Sequence, residues 1–120
     1  MVQALPVRES IIQWVDICSL SDIQPNTGVC ALVDGQQIAI FRVGYGTDVY
    51  AISNYDPFSK AFVLSRGIIG DRNGIIKVAS PIYKQNFNLA TGECLDDETV
   101  KISTFPVRLL DQRVHIGILA

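Results

Sequence analysis

The chain has 120 residues, 48% of them hydrophobic and 18% charged, with a net charge of −2 and a pI near 5.2. That content suits one domain with its own core and excludes a disordered or coiled-coil segment. Lysine and arginine are scattered among more numerous acids, so no phosphate-binding footprint exists and nucleic acid is not an expected partner. No run approaches the roughly 18 apolar residues of a membrane span. The first ten residues, an expected N-terminal extension, hold Arg8 and Glu9 and no apolar signal core, which predicts a cytoplasmic address and no membrane partner.

β-Branched and aromatic runs, broken about every eight to twelve residues by Gly, Pro, Asn or Asp, mark a small antiparallel sandwich or barrel. Residues 11–17 alternate as a first strand, and residues 19–23 form a short helical turn that Pro25 stops. Residues 29–33 and 37–43 read as a hairpin around Asp34-Gly35, a pair that tolerates the positive φ of a tight turn. Gly44-Tyr45-Gly46 reads as a turn, because no helical pattern follows it as a phosphate loop requires. Residues 49–53 form the next strand. Arg66, Asp71, Arg72, Asn73 and Gly74 read as an exposed connection dense in turn formers. Residues 75–79, 87–89, 100–105 and 114–119 complete the strands, with Pro106 suited to an edge or bulge because it lacks an N–H.

Cys18, Cys30 and Cys94 are odd in number and widely spaced, and read as reduced thiols, two of them buried. His115 sits in the alternating run Val114-His115-Ile116 without a carboxylate or nucleophile at a motif spacing, and reads as an outward strand residue. No activated-serine context surrounds Ser10, Ser53, Ser65 or Ser103, so no catalytic residue is assigned. Asp96-Asp97-Glu98 lacks the alternating ligands and central glycine of a calcium loop and reads as a solvated acidic loop, so no metal site is assigned.

Two loops carry the sharpest signal. Asn54-Tyr55-Asp56-Pro57-Phe58, entered from Val49-Tyr50-Ala51-Ile52-Ser53 and followed by Leu64-Ser65-Arg66-Gly67, resembles the first cluster-binding loop of Rieske-type domains. Lys77-Val78-Ala79-Ser80-Pro81-Ile82-Tyr83, with the later Phe87-Asn88-Leu89-Ala90-Thr91-Gly92-Glu93-Cys94, resembles the second loop and its hairpin. Trp14-Val15-Asp16-Ile17, Ser21-Asp22-Ile23 and Ile38-Ala39-Ile40-Phe41-Arg42 fall where that family keeps its first strands, so the resemblance spans nearly the whole chain. Rieske domains hold a [2Fe–2S] cluster with two thiolates and two imidazoles, from a Cys-x-His and a Cys-x-x-His loop. Here Asp56, Phe58, Ser80 and Tyr83 occupy the four places. The resemblance therefore implies an all-β, Rieske-like antiparallel sandwich or barrel in a single domain. Residues 54–93 would be a small inserted subdomain with vestigial ligand positions and no cofactor or metal of its own.

Within that superfamily, a lone domain of this length with all four ligands replaced, and with Asn54-Tyr55-Asp56-Pro57-Phe58-Ser59 and Ile68-Ile69-Gly70-Asp71, resembles the small subunits of NAD(P)H-dependent nitrite reductases. The resemblance implies an oxidoreductase of nitrate assimilation that reduces nitrite to ammonium, with FAD, sirohaem and an iron–sulfur cluster on a large subunit. This chain would be its cluster-free, non-catalytic accessory, supporting the assembly or stability of that partner. The alternative is a free-standing binding or regulatory module on the same scaffold, since fold does not dictate function. An electron carrier drawing ligands from Asp56, Ser80, Tyr83 and one cysteine is disfavoured, because one thiolate beside hard oxygens is a poor [2Fe–2S] donor set. By the same resemblance, Tyr55, Pro57, Phe58, Ile82, Tyr83 and Lys84 gather at the tip where cluster-bearing relatives expose their histidines. Two roles are open to them: infill of the vacated space, or a docking patch for the large subunit with Lys84, Arg66 or Arg72 as rim charges.

Overall fold

The computed structural model of the chain describes residues 12–119; the expected extension at residues 1–10, with Ile11, lies outside them. Its strands are β1 (Ile12–Ser19), β2 (Thr27–Val33), β3 (Gln36–Val43), β4 (Asp48–Ser53), β5 (Tyr55–Asp56), β6 (Ala61–Phe62), β7 (Ile68–Arg72), β8 (Ile75–Ala79), β9 (Asn86–Asn88), β10 (Thr104–Phe105), β11 (Val107–Leu110) and β12 (Arg113–Leu119). Single 3₁₀ turns at Leu20–Asp22 and Leu64–Arg66 are the helical elements among the described residues. No helix there is long and apolar enough to cross a membrane. Every named ladder is antiparallel, in agreement with the expected all-β class.

The centre of the architecture is legible in β3. Its four successive residues Ile38, Ala39, Ile40 and Phe41 are all fully buried, which a strand achieves only when both of its faces are covered. The sheet ordered β10-β4-β3-β2 therefore has a core on each side. Ile38, Ile40 and Ala51 face Val114, Ile116 and Ile118 of the β1-β12-β11 sheet. Ala39, Phe41 and Ile52 face Leu64, Val78, Phe87 and Leu89, carried by the second 3₁₀ turn and by the β7-β8-β9 sheet. The first pair of sheets makes the sandwich, and the second core seats the segment that bears the two loops.

Several boundaries differ from expectation for physical reasons. The expected exposed connection is a hairpin, β7 to β8, turning at Asn73 (φ 53°) and Gly74 (φ 86°), where an Asn-Gly pair reverses the chain tightly. The expected strand over 100–105 shrinks to Thr104–Phe105. Upstream of it the chain makes one bridge, Lys101 to Glu93, and is otherwise held by bonds such as Ile102 N–H to the Gly92 carbonyl at 2.9 Å. β11 went unforeseen because Asp111 and Gln112, both at positive φ, make its hairpin turn to β12 without a glycine. Pro106 lies between β10 and β11 and its carbonyl accepts from Gly117 N–H at 2.8 Å, so the missing donor falls where the chain changes sheets. Of the cysteines only Cys94 is buried; Cys18 is half-buried and Cys30 exposed, one fewer buried than expected.

Gly92 joins the second loop's hairpin to the rest of that segment. It sits at φ +82°, and a β-carbon there would strike the carbonyl of Ile102, whose N–H bonds back to Gly92. Gly92→Ala is expected to cost about 3 kcal/mol or more in denaturant unfolding. A loss below about 1 kcal/mol would show instead that the 88–102 connection shifts freely.

Candidate functional site

The first loop is fastened at its root by Asn54. Buried at the end of β4, its Oδ1 accepts from Ser65 N–H at 2.7 Å, and its Nδ2 donates to Gln37 Oε1 at 3.1 Å and to Cys30 Sγ at 3.4 Å. Asx side chains satisfy nearby backbone donors in this way when a strand gives out. Two residues on, Asp56 is fully buried. Its Oδ1 accepts from Phe58 N–H at 2.9 Å; its Oδ2 accepts from the Ser59 hydroxyl at 2.9 Å and from the Ser80 hydroxyl at 2.5 Å.

Ser80 belongs to the second loop, so this one carboxylate ties the two loops together. Ser80 is itself buried, its Oγ accepts from Ile82 N–H at 3.3 Å, and its N–H donates to the Gln85 carbonyl at 2.9 Å. Burial pushes the Asp56 carboxyl up, but the bonds from Ser80, Phe58 N–H and Ser59 outweigh it and hold the group below the ordinary carboxylate value. The buried group is a satisfied carboxylate, as a buried charge must be.

The four vestigial positions thus separate by depth. Asp56 and Ser80 meet in the interior, Phe58 is half-buried with its ring 6.2 Å from that of Phe87, and Tyr83 stands 60% exposed. Of the remaining tip residues, Tyr55 and Pro57 are half-buried, with Tyr55 tilted against Phe62 at 5.0 Å, while Ile82 and Lys84 are exposed. Arg66 is exposed as well. Arg72 is drawn into an ion pair with Asp96 at 3.2 Å, away from the rim role expected of it.

These residues do not fit a [2Fe–2S] cluster. The two interior positions offer hard oxygens already hydrogen-bonded to each other, and phenylalanine offers no lone pair. Cys94 lies in the core with Phe87 and Leu89, and no three His, Cys, Asp or Glu side chains converge among the described residues.

Elsewhere the structure supplies partners to two groups that the sequence left without them. His115 is nearly buried, with its side chain 12% exposed: Nδ1 accepts from Arg108 Nε at 3.1 Å, and Nε2 lies 3.9 Å from Asp16, its cross-strand neighbour. The carboxylate partner absent from the local sequence is supplied by strand pairing almost a hundred residues away. The acidic run lies at the surface with local partners: Asp96 accepts from Asn86 N–H at 2.8 Å and Asp97 from Thr99 N–H at 3.0 Å. Phe62 and Lys60, which flank the first loop, went unremarked in the sequence. The usable signal was an apolar aromatic two residues past a lysine in a segment with no strand pattern of its own.

Comparison with known proteins adds four findings. The Rieske-like [2Fe-2S] domain family matches residues 13–117. The chain is 48% identical over 104 residues to the small subunit of nitrite reductase (NADH) of Salmonella typhimurium, covering 87% of this chain and 96% of that protein. It is 40% identical over 114 residues to a stretch of the nitrite reductase NAD(P)H large subunit of Klebsiella oxytoca, covering 95% of this chain and 11% of that protein. Among solved structures, that of the nitrite reductase NAD(P)H small subunit from Erwinia carotovora superposes with a TM-score of 0.78 at 47% identity, covering 89% of this chain and 82% of that one.

Because folded Asp56 stays ionised to lower pH than the same residue in the unfolded chain, the unfolded state binds the proton first as pH falls. Its stabilisation is complete above the unfolded value near pH 4 and is lost as pH drops through the lower folded value. Asp56→Asn removes one acceptor and the charge. It is expected to cost about 1–3 kcal/mol in urea unfolding at about pH 6 and less at about pH 3. An equal cost at both values would mean that the carboxylate is not what holds the loops.

Proposed function

The chain belongs to the Rieske-like [2Fe-2S] domain family and, within it, to the small subunits of NADH nitrite reductase, and from that premise we propose that it is the cluster-free accessory subunit of such an enzyme. Its work is to support the assembly or stability of the large subunit in the cytoplasm. The large subunit carries the FAD, sirohaem and iron–sulfur cluster that take electrons from NAD(P)H to nitrite and yield ammonium.

The observation that carries the partner is the Klebsiella oxytoca large subunit, in which a stretch similar to 95% of this chain is part of the large polypeptide itself. A domain held in cis in one protein and separate in another is suited to the same contact in both, the tether only raising its effective concentration. The donor set at the tip supports the cluster-free reading: a buried Asp56–Ser80 hydrogen bond and a phenylalanine occupy positions where thiolates and imidazoles would be needed. A chain without catalytic groups still raises activity by mass action, since a partner that binds only the folded large subunit shifts its folding equilibrium.

On this reading the tip residues divide their roles. Asp56, Ser80 and Phe58 fill the interior, while Tyr83 and Ile82, with Lys84, Tyr55 and Pro57 around them, face the large subunit.

Co-expression with the sirohaem-containing reductase of the same genome is expected to give co-purification and faster nitrite-dependent NAD(P)H oxidation, with no iron on the isolated small chain. Absence of association at any ratio would favour a free-standing module instead. Tyr83→Ala should leave unfolding free energy within about 0.5 kcal/mol and weaken association about tenfold. Phe58→Ala should cost about 2 kcal/mol of stability through lost packing on Phe87. The reverse pattern would make Tyr83 a packing residue and Phe58 the contact.

A further inference from the structure

The described lysines and arginines fall into two populations. Arg42 donates to the carbonyls of Ile23, Tyr45 and Gly46, Arg72 pairs with Asp96, and Lys77 donates to Asn86. Arg108 lies over the Trp14 ring while donating to His115, and Arg113 grips Asp16 and Ser19. Four others, Lys60, Arg66, Lys84 and Lys101, form no side-chain hydrogen bond or salt bridge with another described residue, and all four are exposed. The committed cations are spread over the fold; the free ones are not.

All four free cations border the two tip loops. Lys60 closes the turn built on Asp56, to whose carbonyl its N–H donates at 2.7 Å, and Lys84 follows Tyr83 in the second loop. Arg66 ends the 3₁₀ turn after β6, and Lys101 shares with Tyr55 and Pro57 an open groove of about 440 Å³. Within residues 54–68 and 80–85 the single acid is Asp56, which is buried and turned inward to Ser80. Lys101 lies outside those segments, with Glu93 across its bridge and the exposed Glu98 three residues before it; the Glu93 carboxylate accepts from the Thr91 hydroxyl, and Asp96 and Asp97 are engaged by Arg72 and Thr99. Phe62 beside the first loop and Ile82 and Tyr83 on the second are exposed apolar side chains.

The backbone supplies an independent observation. Seven described non-glycine residues have positive φ; five are Asn26, Asp34, Asn73, Asp111 and Gln112, and the other two are Lys60 at 59° and Lys84 at 65°. Asparagine and aspartate enter the left-handed region readily, whereas a long side chain gains nothing there. Gln112 is the other long side chain held there, and of these three residues the two that carry charge, Lys60 and Lys84, both lie at the tip.

We propose that the tip is a cationic docking surface for an acidic face of the large subunit. Lys60, Arg66, Lys84 and Lys101 supply the attraction, and Phe62, Ile82 and Tyr83 supply the contact that is buried. The proposal rests on the accessory-subunit reading and adds the chemistry of its interface. Residues 54–68 and 80–85 carry three cations against one buried acid, and the rest of the sequence carries eleven acids against seven cations, so an acidic partner is attracted to the tip more than to the remainder. Charge thereby selects the orientation of docking as well as its rate.

The test is the affinity of the full chain for the purified large subunit, by titration calorimetry at about 50 and about 300 mM salt, a range over which screening of exposed charges becomes strong. Wild type is expected to bind about tenfold more weakly at the higher salt. Lys60→Asn with Lys84→Asn removes two charges at positions where asparagine suits the backbone, so its melting temperature should equal or exceed that of wild type. Its affinity at low salt should fall about tenfold, with about half of the salt dependence gone, since Arg66 and Lys101 remain. Lys60→Arg with Lys84→Arg keeps the charge and should bind as wild type does. Asn-substituted protein that binds like wild type with the same salt dependence, or Arg-substituted protein that loses as much affinity as the Asn form, would overturn the charge assignment and leave the accessory reading standing. Failure of wild type to bind at either salt would overturn both.

Discussion

The constraint on which the rest of the molecule depends is that β3 is buried on both faces. Four consecutive side chains, Ile38 to Phe41, point alternately into two separate cores, so the β10-β4-β3-β2 sheet is a shared wall and not one layer of a simple sandwich. One core closes the domain against β12. The other binds the β7-β8-β9 sheet and the second 3₁₀ turn directly to the same strands. The segment bearing the tip is therefore seated by apolar burial, and its position relative to the sandwich follows from packing. Close approach enforces this at Gly28, where a β-carbon would meet the Phe41 ring and the Ser65 carbonyl.

On that seat the loops are organised by polar groups that are buried and fully engaged. Asn54 holds the root of the first loop through Ser65, Gln37 and Cys30, and Asp56 joins the first loop to the second through Ser80. A buried carboxylate is stable here because it accepts from two hydroxyls and a backbone N–H at once, from three different residues. Such a network is specific in a way that apolar infill is not, because each partner lost leaves a desolvated oxygen behind. The exposed side chains of Ile82, Tyr83 and Lys84 are not needed to hold the loop, which the inward atoms already secure.

A second polar array crosses the outer face of the β1-β12-β11 sheet. Trp14, Arg108, His115, Asp16 and Arg113 form a continuous row in which each side chain touches the next, from the indole face to the bidentate ion pair. Arg113 holds the Asp16 carboxyl below the usual carboxylate range. This row laces three strands whose order, β1-β12-β11, brings the start of the described chain beside its end. The cations of that face are consumed by the lacing, and this is why the cations left over are concentrated elsewhere.

By itself the sequence determined the class of fold and most strands, because these depend on local information such as alternation and turn-forming pairs like Asp34-Gly35, and it marked the two loops as the place of interest through their resemblance to Rieske-type loops. The same local information missed β11, whose turn at Asp111 and Gln112 carries no glycine, and read β7 as a connection because its residues are charged and short in span. It placed Asp56, Phe58, Ser80 and Tyr83 at four matching positions yet had no means to tell them apart. Only the tertiary structure decided that Asp56 and Ser80 meet inside, that Phe58 leans on Phe87 and that Tyr83 faces solvent, since burial and hydrogen bonding are set by segments distant in sequence. The same holds for Arg72, spent on Asp96, and for His115, whose carboxylate neighbour arrives through strand pairing. Which charges remain free on a folded surface is a property of all the pairings that consume the others, and no stretch of sequence contains it.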